Sequence, residues 1–512
     1  MNEIELKLQV PAVCRAAVDT AVAGRAPTPR MRLQAAYHDT ADRALAQARL
    51  ALRLRREGRQ WVQTLKGAGD DGMTRLEHNV PRGAAAAMPA IDPALHAGTP
   101  AGDRLAALLA ATPGAALQTL YRTDIRRRTR ALLVRAPGRP AGRVELAFDS
   151  GRIVAGDASI DVSELEIELL AGAPRAVIAT ARNWLPRFGL WLDLRSKAER
   201  GDLLARGERA APARFAAPVQ LTADMHAHAA WQAVLRSCAD QILVNASQIA
   251  AGDHTPAHVH QLRVGLRRLR SALALLAPEG EQADAGGASS LRDSAAALFR
   301  ELGAARDQAV IDSEFSAELA AAMRGAGLQI DELPPAAVAT DTASTERLRA
   351  PASQTLLLDL LEAMHAEPEI VAPTAAADEA VPLREQLAAR LNHWHREIVA
   401  DARRYAMLDD ERRHRLRKRA KRLRYAAEFS ASLFGRREVR RYLKALRALQ
   451  ERLGAVSDVM MAIDAFAAQA PTEPRAMFAL GWLSARREVL VDAATPDLKA
   501  FTKVERFWKK GG

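Results

Sequence analysis

The first part of the chain alternates apolar and polar residues in short runs. Runs such as EIELKL, LALRLRR, RVELAFD and SELEIELL have the two-residue period of β-strands, and Gly, Pro and Asp separate them. Helical spacing interrupts this pattern at residues 103–111 and 175–188. The pattern predicts an α+β domain over residues 1–204, made of antiparallel strands with a few helices.

The second part of the chain changes to apolar residues spaced three and four apart, which is the period of amphipathic helices. Residues 205–222 lose all periodicity and are rich in Ala, Pro and Arg, as expected of a linker. We therefore predict an all-α domain over residues 223–505, with irregular breaks at 277–290, 325–351 and 367–382. The predicted helical segments are 231–249, 258–276, 291–323, 383–406, 411–433 and 437–453.

Length and composition narrow the class of protein. A chain of 512 residues with 49% hydrophobic residues favours several folded domains and excludes wholesale disorder. No apolar run is long enough to span a membrane, and the opening MNEIELKLQV is unlike a signal peptide, so we expect a cytoplasmic protein without membrane attachment. Cys14 and Cys238 match no disulfide framework and no zinc-ligand spacing.

The positive charge is concentrated in one segment. Residues 402–447 contain 17 Lys or Arg against 5 Asp or Glu, a net +12 that equals the formal charge of the whole chain. Aromatic residues make up only 4% of the sequence. This combination favours phosphate-type anions over nucleic-acid bases as the ligand.

Charged residues repeat on one face of the predicted strands. In the first strand Glu3, Glu5 and Lys7 share a face, opposite the leucines. An open sheet with one solvated face explains this alternation in any single strand, but its recurrence in six strands favours a barrel with a charged interior. Its acids, as oxygen ligands, could hold Mg²⁺ or Mn²⁺, and its bases could clamp phosphate. The candidate metal ligands are Glu3, Glu5, Asp149, Glu164, Glu166 and Glu168, and the candidate phosphate ligands are Lys7, Arg53, Arg55, Lys66 and Lys197.

The order of these motifs resembles the CYTH superfamily, the triphosphate tunnel metalloenzymes. The resemblance covers residues 1–202 and begins with an ExExK signature at Glu3, Glu5 and Lys7, which it implies to be catalytic. It implies an antiparallel barrel whose tunnel binds a triphosphate with a divalent metal and hydrolyses it. It also implies a phosphate-binding arginine after the central helices, for which Arg127 fits best, with Arg130 where the family often has tryptophan. The other matching motifs are YHDT (37–40), ALRLR (51–55), TLKG (64–67), VELAFD (144–149), ELEIEL (164–169) and SK (196–197).

The helical half contains an internal repeat. Two histidines, His260 and His414, are each followed by basic residues at the same offsets, and they lie 154 residues apart. Leu-Gly pairs followed by Asp307 and Asp458 recur at a separation of 151. We therefore predict two similar helical bundles, each with a basic stripe on one helix, although a solvated helix face is the simpler explanation of any one stripe.

These helices resemble the CHAD domain, the conserved-histidine α-helical domain, over about residues 223–500. The resemblance implies that the domain binds inorganic polyphosphate along a basic channel. Basic residues between Arg436 and Arg447 could extend that channel. The candidate polyphosphate ligands are His260, Arg263, Arg267, Arg270, His414, Arg417, Lys421 and Arg424.

Three classes of function fit the sequence. The first is a metal-dependent inorganic triphosphatase that converts tripolyphosphate to pyrophosphate and phosphate and carries a polyphosphate-binding domain. The second is a non-catalytic polyphosphate-binding scaffold, which the complete set of acids disfavours. The third, nucleic-acid binding, is disfavoured by the scarcity of aromatic residues. Within the enzyme class, thiamine triphosphatase and adenylate cyclase remain alternatives, and the absence of an evident aromatic cluster in the sequence favours an inorganic substrate.

Overall fold

The fold was analysed in a computed structural model of the chain. The structure describes residues 2–25, 30–69, 73–111, 114–135, 140–276, 288–303, 315–327, 341–366, 381–471 and 476–509.

The N-terminal strands form a closed antiparallel barrel. Eight strands follow one another around a ring in the order β5-β4-β3-β2-β6-β7-β8-β1, and β1 pairs back onto β5. A short ninth strand extends the same edge of β1. Closure removes the free strand edges and gives every strand one inward face. The strands are β1 (Asn2–Gln9), β2 (Met31–Asp39), β3 (Leu50–Glu57), β4 (Gln60–Ala68), β5 (Thr74–Ala84), β6 (Gln118–Val134), β7 (Gly142–Ala155), β8 (Ala158–Ala171) and β9 (Trp191–Leu192).

The register of β1 explains how the ring closes. The first residues of β1 pair with β5, with Glu3 opposite Arg75, and the last pair with β9, with Gln9 opposite Trp191. Its other edge pairs with β8, where Lys7 lies opposite Glu166. The charged side chains of β1 therefore point into the ring beside charged side chains of both neighbouring strands.

The apolar faces of the strands pack outward against helices. Leu6 and Leu8 of β1 are fully buried, and the helix at residues 175–188 packs on β1, β7 and β8. On another side Leu52 and Leu65 form a core with Leu105. In an open antiparallel sheet the polar face is usually exposed to solvent. Here the polar faces line the inside of the barrel, and helices cover the apolar faces.

Most of the described residues after the barrel are helical, so the predicted fold class, an α+β barrel domain followed by an all-α region, is confirmed. The helix at residues 341–349 lies inside the predicted irregular break at 325–351, so that prediction was wrong for these residues. Most residues of the predicted breaks at 277–290 and 367–382 lie outside the described residues. The helices are α1 (Arg15–Ala23), α2 (Ala44–Gln47), α3 (Pro100–Ala111), α4 (Arg175–Phe188), α5 (Lys197–Ala205), α6 (Ala227–Ala251), α7 (Pro256–Leu276), α8 (Ala288–Glu301), α9 (Ser316–Gly325), α10 (Asp341–Arg349), α11 (Pro351–Met364), α12 (Leu383–Ala402), α13 (Asp410–Phe429), α14 (Arg436–Gln469) and α15 (Ala476–Phe501).

The chain divides into two compact units that do not follow the sequence in a simple order. The first unit contains Met1–Phe215 together with Asp240–Leu262 and Ser344–Ala366, and the second contains Ala216–Ala239, Arg263–Ala343 and Glu367–Gly512. Parts of α6 and α7, and α11, therefore pack in the same unit as the barrel. Within the described ranges, no helix combines the length and the apolar character needed to cross a membrane.

Candidate functional site

The barrel encloses a cavity of about 660 Å³ lined by charged side chains. Most of the residues predicted for the triphosphate site line it, and they come from β1, β3, β4, β6, β7, β8 and the start of α5. Glu164 is fully buried and is not among the lining residues. The predicted residues that line the cavity are Glu3, Glu5, Lys7, Arg53, Arg55, Lys66, Arg127, Asp149, Glu166, Glu168 and Lys197.

A first charge cluster joins β6, β7 and β8. The guanidinium of Arg127 donates to both carboxylate oxygens of Asp149, at 2.7 Å each, and also contacts Glu166. Lys197 Nζ lies 2.6 Å from Asp149 Oδ2 and 2.9 Å from Glu166 Oε1. Although burial opposes ionisation of Glu166, Lys197 and Arg127 hold its pKa well below the usual range. Two cations thus keep this acid ionised inside the protein.

Three acids of this cluster could hold a metal ion. Oxygen atoms of Asp149, Glu164 and Glu166 lie within 4.8 Å of one another. An all-carboxylate donor set fits Mg²⁺ or Mn²⁺. The other predicted ligands, Glu3, Glu5 and Glu168, lie outside this group of three, although they line the same cavity.

A second charge cluster joins β1, β4 and β5. Lys66 Nζ lies 2.9 Å from Glu3 Oε2 and also contacts Glu77. Burial raises the pKa of Glu3 to about 8, and its hydrogen bond with Glu77 acts in the same direction. Glu3 is therefore a carboxyl group that can hold a proton near neutral pH.

Glu5 lies between the two clusters. It contacts Lys7, and Arg75 Nε lies 2.9 Å from its Oε1. Burial works against ionisation of Glu5, but Lys7, Lys66 and Arg75 together lower its pKa. Glu168 differs, because burial and the nearby carboxylates of Glu145 and Glu5 raise its pKa.

Strand pairing resolves the arginine run in β6. Arg127 pairs with Asp149 and points into the barrel. Arg126 is exposed, and Arg128 donates to Asp19 of α1 on the outside of the barrel. Arg130, which stands where the family often has tryptophan, packs close to Gly24 and approaches the Ala21 carbonyl oxygen at 3.5 Å.

The start of α5 positions Lys197. Ser196 caps the helix by accepting a hydrogen bond from the Glu199 backbone N–H, and Glu199 accepts one from the Ser196 N–H. This capping box fixes the first turn. Arg200, one turn after Lys197, contacts the buried Glu164.

The candidate ligands predicted from the sequence leave out three charged residues of this region, although Arg75 and Glu77 were recognised as an alternating charged pair. Arg200 was detectable from its i, i+3 relation to Lys197 on a helix. Arg75 and Glu77 alternate on β5 in the same way as the residues of β1, and both line the cavity.

The cavity also contains an aromatic pair that the sequence did not reveal. Tyr37 and Tyr121 stack with ring centroids 4.8 Å apart. Arg53 covers Tyr37, its guanidinium 5.9 Å from the ring centroid, and a Cβ on Gly201 would lie 2.3 Å from the Tyr121 ring. The sequence did not indicate this pair, whose ring faces are covered by each other, by Arg53 and by Gly201.

The two basic helices of the repeat make equivalent contacts. On α7, Arg263 contacts the Leu302 carbonyl oxygen, and its guanidinium lies 4.5 Å from the Phe299 centroid. On α13, Arg417 donates to Ser457 at 3.0 Å and to Asp458 at 3.2 Å. Each arginine thus contacts the Leu-Gly region of its own repeat. Asp307, the predicted counterpart of Asp458, lies outside the described residues.

The remaining residues of the two stripes differ in exposure. Arg270 is exposed to solvent, and partial desolvation together with the nearby charges of Arg292 and Arg300 lowers its pKa. Burial lowers the pKa of His414, and the neighbouring cations Lys418, Arg417 and Lys421 add to this. The other predicted residues, His260, Arg267, Lys421 and Arg424, are partly buried along α7 and α13.

The second unit has a further basic cavity. It measures about 600 Å³ and lies between α12 and the C-terminal residues 502–509. One side chain at its wall is His395, which is buried and accepts or donates a hydrogen bond with the Tyr442 hydroxyl at 2.9 Å. Its basic lining residues are Arg396, Arg403, Lys503, Arg506 and Lys509.

Comparison with known proteins agrees with this architecture. The CYTH domain model matches residues 1–201, and the CHAD domain model matches residues 233–467. The chain therefore contains a CYTH domain followed by a CHAD domain.

Individual relatives match parts of the chain. An inorganic triphosphatase from Haemophilus influenzae is 28% identical over 173 residues, which is 33% of this chain. The match covers 44% of that relative, so the chain spans less than half of its length.

Two solved structures are each similar to part of the chain. The CHAD domain from the plant Ricinus communis is 28% identical, covers 58% of this chain and 99% of its own length, and has a TM-score of 0.44. A putative adenylyl cyclase from Hippeastrum, described as having a dominant triphosphatase activity, is 17% identical, covers 40% of this chain and 96% of its own length, and has a TM-score of 0.26.

Proposed function

We propose that the chain is a metal-dependent inorganic triphosphatase that converts tripolyphosphate to pyrophosphate and phosphate inside the barrel. The observation that supports this most directly is the convergence of cations and carboxylates from seven separate elements on one cavity. A cavity lined only by bases would suit anion binding alone, whereas the acids beside them would repel a polyanion unless a cation lay between.

The basic residues would bind the substrate. Arg53, Arg55, Lys66, Arg127 and Lys197 all line the cavity, and most of them contact carboxylates. Phosphate oxygens can replace these carboxylates as hydrogen-bond acceptors, and the guanidinium groups can bind them in bidentate fashion.

The carboxylates would hold the metal. Asp149 and Glu166 line the cavity, and Glu164 completes the group of three acids whose oxygens approach one another. A bound Mg²⁺ or Mn²⁺ supplies positive charge that offsets the charge of the phosphate oxygens. The further predicted ligands Glu3, Glu5 and Glu168 line the same space and could contribute.

Residues of β1 would accept the proton that the attacking water loses. Water attacks the terminal phosphorus, the bond to the leaving pyrophosphate breaks, and the water must lose a proton. Glu3, with a pKa raised to about 8, and the ionised Glu5 are carboxyl groups on the cavity wall that can accept or hold it. Lys7, which contacts Glu5, would orient that carboxylate.

The covered tyrosine faces favour an inorganic substrate. Because Tyr37 and Tyr121 stack on each other and are flanked by Arg53 and Gly201, neither presents a free ring face for adenine or thiazole. A phosphate-release profile across tripolyphosphate, longer polyphosphate, ATP and thiamine triphosphate tests this. We expect the fastest release from tripolyphosphate with magnesium or manganese; a clear preference for ATP or thiamine triphosphate would reassign the substrate.

We propose that the helical region binds inorganic polyphosphate through the two basic stripes. The repetition of a histidine and basic residues on α7 and α13 supports this, as does the net charge of +12 within residues 402–447. Competition for the full chain between long-chain polyphosphate and duplex DNA at matched phosphate concentration tests it. Preferential binding of DNA would instead favour nucleic acid as the ligand.

A further inference from the structure

The segment that leads into α5 has little strand pairing of its own. It follows the two-residue strand β9 and carries Lys197 to the cavity. The Asp193 N–H donates to the Lys7 carbonyl oxygen at 3.0 Å, and Arg75 donates to the Leu194 carbonyl oxygen at 3.1 Å. These two bonds attach the segment to β1 and β5 but leave other polar groups to be satisfied elsewhere.

Helix α6 satisfies several of those groups. Ser247 Oγ accepts a hydrogen bond from the Leu194 N–H at 3.1 Å, and Gln248 Oε1 accepts one from Arg195 Nη1 at 3.1 Å. Ser247 and Gln248 are 1% and 2% exposed, and both line the barrel cavity. These two residues belong to the same compact unit as the barrel.

Arg195 connects α6 to the segment as a whole. Its guanidinium donates to Asp193 at 3.0 and 2.9 Å and lies 3.3 Å from Asp253, just after α6. Asp193 is fully buried. A buried guanidinium that loses one acceptor carries an unsatisfied donor, which costs about 1–3 kcal/mol unless the group moves. Gln248, together with Asp193 and Asp253, therefore holds the Arg195 guanidinium in place.

Two further helices, α10 and α11, contact the strand before this segment. Gln354 of α11 accepts a hydrogen bond from the Leu192 N–H at 2.7 Å, and the guanidinium of Arg349 lies 3.9 Å from the Trp191 ring centroid. The contacts of α6, α10 and α11 thus follow one another along residues 191–195, immediately before Lys197.

We infer that Ser247 and Gln248 are positioning residues of the barrel site, although they lie after residues 1–201 that match the CYTH domain. They fix the segment at residues 193–195 and through it Lys197, whose Nζ lies 2.6 Å from Asp149 and 2.9 Å from Glu166. This inference rests on the proposed triphosphatase function for its kinetic consequence. Small misplacements of a group that contacts the reacting centre can lower the rate strongly.

The test compares two buried glutamines of one helix in the full chain. Gln248→Leu removes the acceptor of Arg195, and Gln241→Leu removes a buried glutamine that donates to Gln261 at 2.8 Å and does not line the cavity. We expect Gln248→Leu to lower kcat for tripolyphosphate about tenfold and also to weaken its binding, because Lys197 is a proposed phosphate ligand, and Gln241→Leu to leave kcat and binding near the parent values. Gln248→Glu keeps an acceptor for Arg195 and should restore most of kcat.

Calorimetric binding of tripolyphosphate with magnesium gives a second measurement on the same variants. If Gln248→Leu and Gln241→Leu have equal kcat, or if Gln248→Glu is as slow as Gln248→Leu, the positioning role is wrong. If the parent releases no phosphate, the triphosphatase proposal fails. In that case the calorimetric affinities for tripolyphosphate test the positioning role. The role is wrong if both leucine variants bind tripolyphosphate like the parent, or if the parent does not bind it. Weaker binding by Gln248→Leu alone supports it.

Discussion

Arg127 and Asp149 pair across neighbouring strands, and their side chains are joined by two hydrogen bonds of 2.7 Å inside the barrel. Arg127, the proposed phosphate ligand, thus binds Asp149, a proposed metal ligand. A substrate phosphate and a metal ion can separate the pair by giving each residue a new partner of opposite charge.

This relationship predicts the effect of removing Arg127. Arg127→Ala should weaken tripolyphosphate binding at least tenfold, measured as KM and as calorimetric Kd, because one bidentate phosphate contact is lost. Arg126→Ala is the matched control, since Arg126 is the preceding residue of the same strand and is exposed. Equal effects of the two substitutions would contradict the assignment of Arg127.

We expect metal-dependent turnover to require the acidic residues of β8. Glu166→Gln keeps the size of the side chain but removes the charge, so we expect turnover with magnesium to fall at least a hundredfold while thermal unfolding shows an intact fold. Asp161→Asn on the same strand is the control, because Asp161 is exposed and pairs at 3.4 Å with Arg15 outside the barrel. EDTA should abolish turnover of the parent; undiminished turnover in EDTA would contradict the metal-dependent mechanism.

The alternation of charged residues was sufficient to predict the barrel interior, because side chains in a strand alternate strictly between two faces. It placed Glu3, Glu5 and Lys7 correctly on the cavity wall. The same parity could not separate Glu164 from Glu166. The two residues differ in their surroundings. Arg200 of α5 contacts Glu164, whereas Glu166 lines the cavity.

Contacts between residues that are distant in sequence could not be predicted from the hydrophobic pattern. Nothing local to Ser247 or Gln248 indicates that they line the barrel cavity, because an amphipathic helix shows which face is buried but not against what. The stacking of Tyr37 on Tyr121 also depends on strand pairing between β2 and β6. The linker at residues 205–222 and the domain boundaries beside it stay predictions.

Polyphosphate binding should depend on exposed rather than buried arginines of the stripes. Arg270 is exposed near Arg292 and Arg300, so Arg270→Ala should weaken polyphosphate binding and reduce its salt dependence, with little change in Tm. Arg263 is 6% exposed and bonded to a backbone carbonyl, so Arg263→Ala should instead lower Tm. Unchanged binding and salt dependence in Arg270→Ala would argue against this stripe as a ligand surface.

The stability of the helical region should fall in mild acid because of His395. This side chain is 5% exposed and bonded to the Tyr442 hydroxyl, and burial, with contributions from Arg506 and Lys509, lowers its pKa to about 4. In the unfolded chain a histidine titrates near its ordinary value of about 6.5.

The sign of the effect follows from proton linkage. Between pH 6.5 and 4 the unfolded state binds a proton that the folded state does not, so the stabilisation is present above pH 6.5 and is lost as the pH falls towards 4. The loss from this residue is at most about 3.5 kcal/mol, because the pKa falls from 6.5 to about 4 and one pKa unit corresponds to about 1.4 kcal/mol. His395→Gln should flatten the dependence of the free energy of unfolding on pH in this range, measured by urea unfolding of the full chain. His393→Gln is the control, because His393 lies two residues away on α12 and is exposed, and an equal pH dependence in both variants would contradict the role of His395.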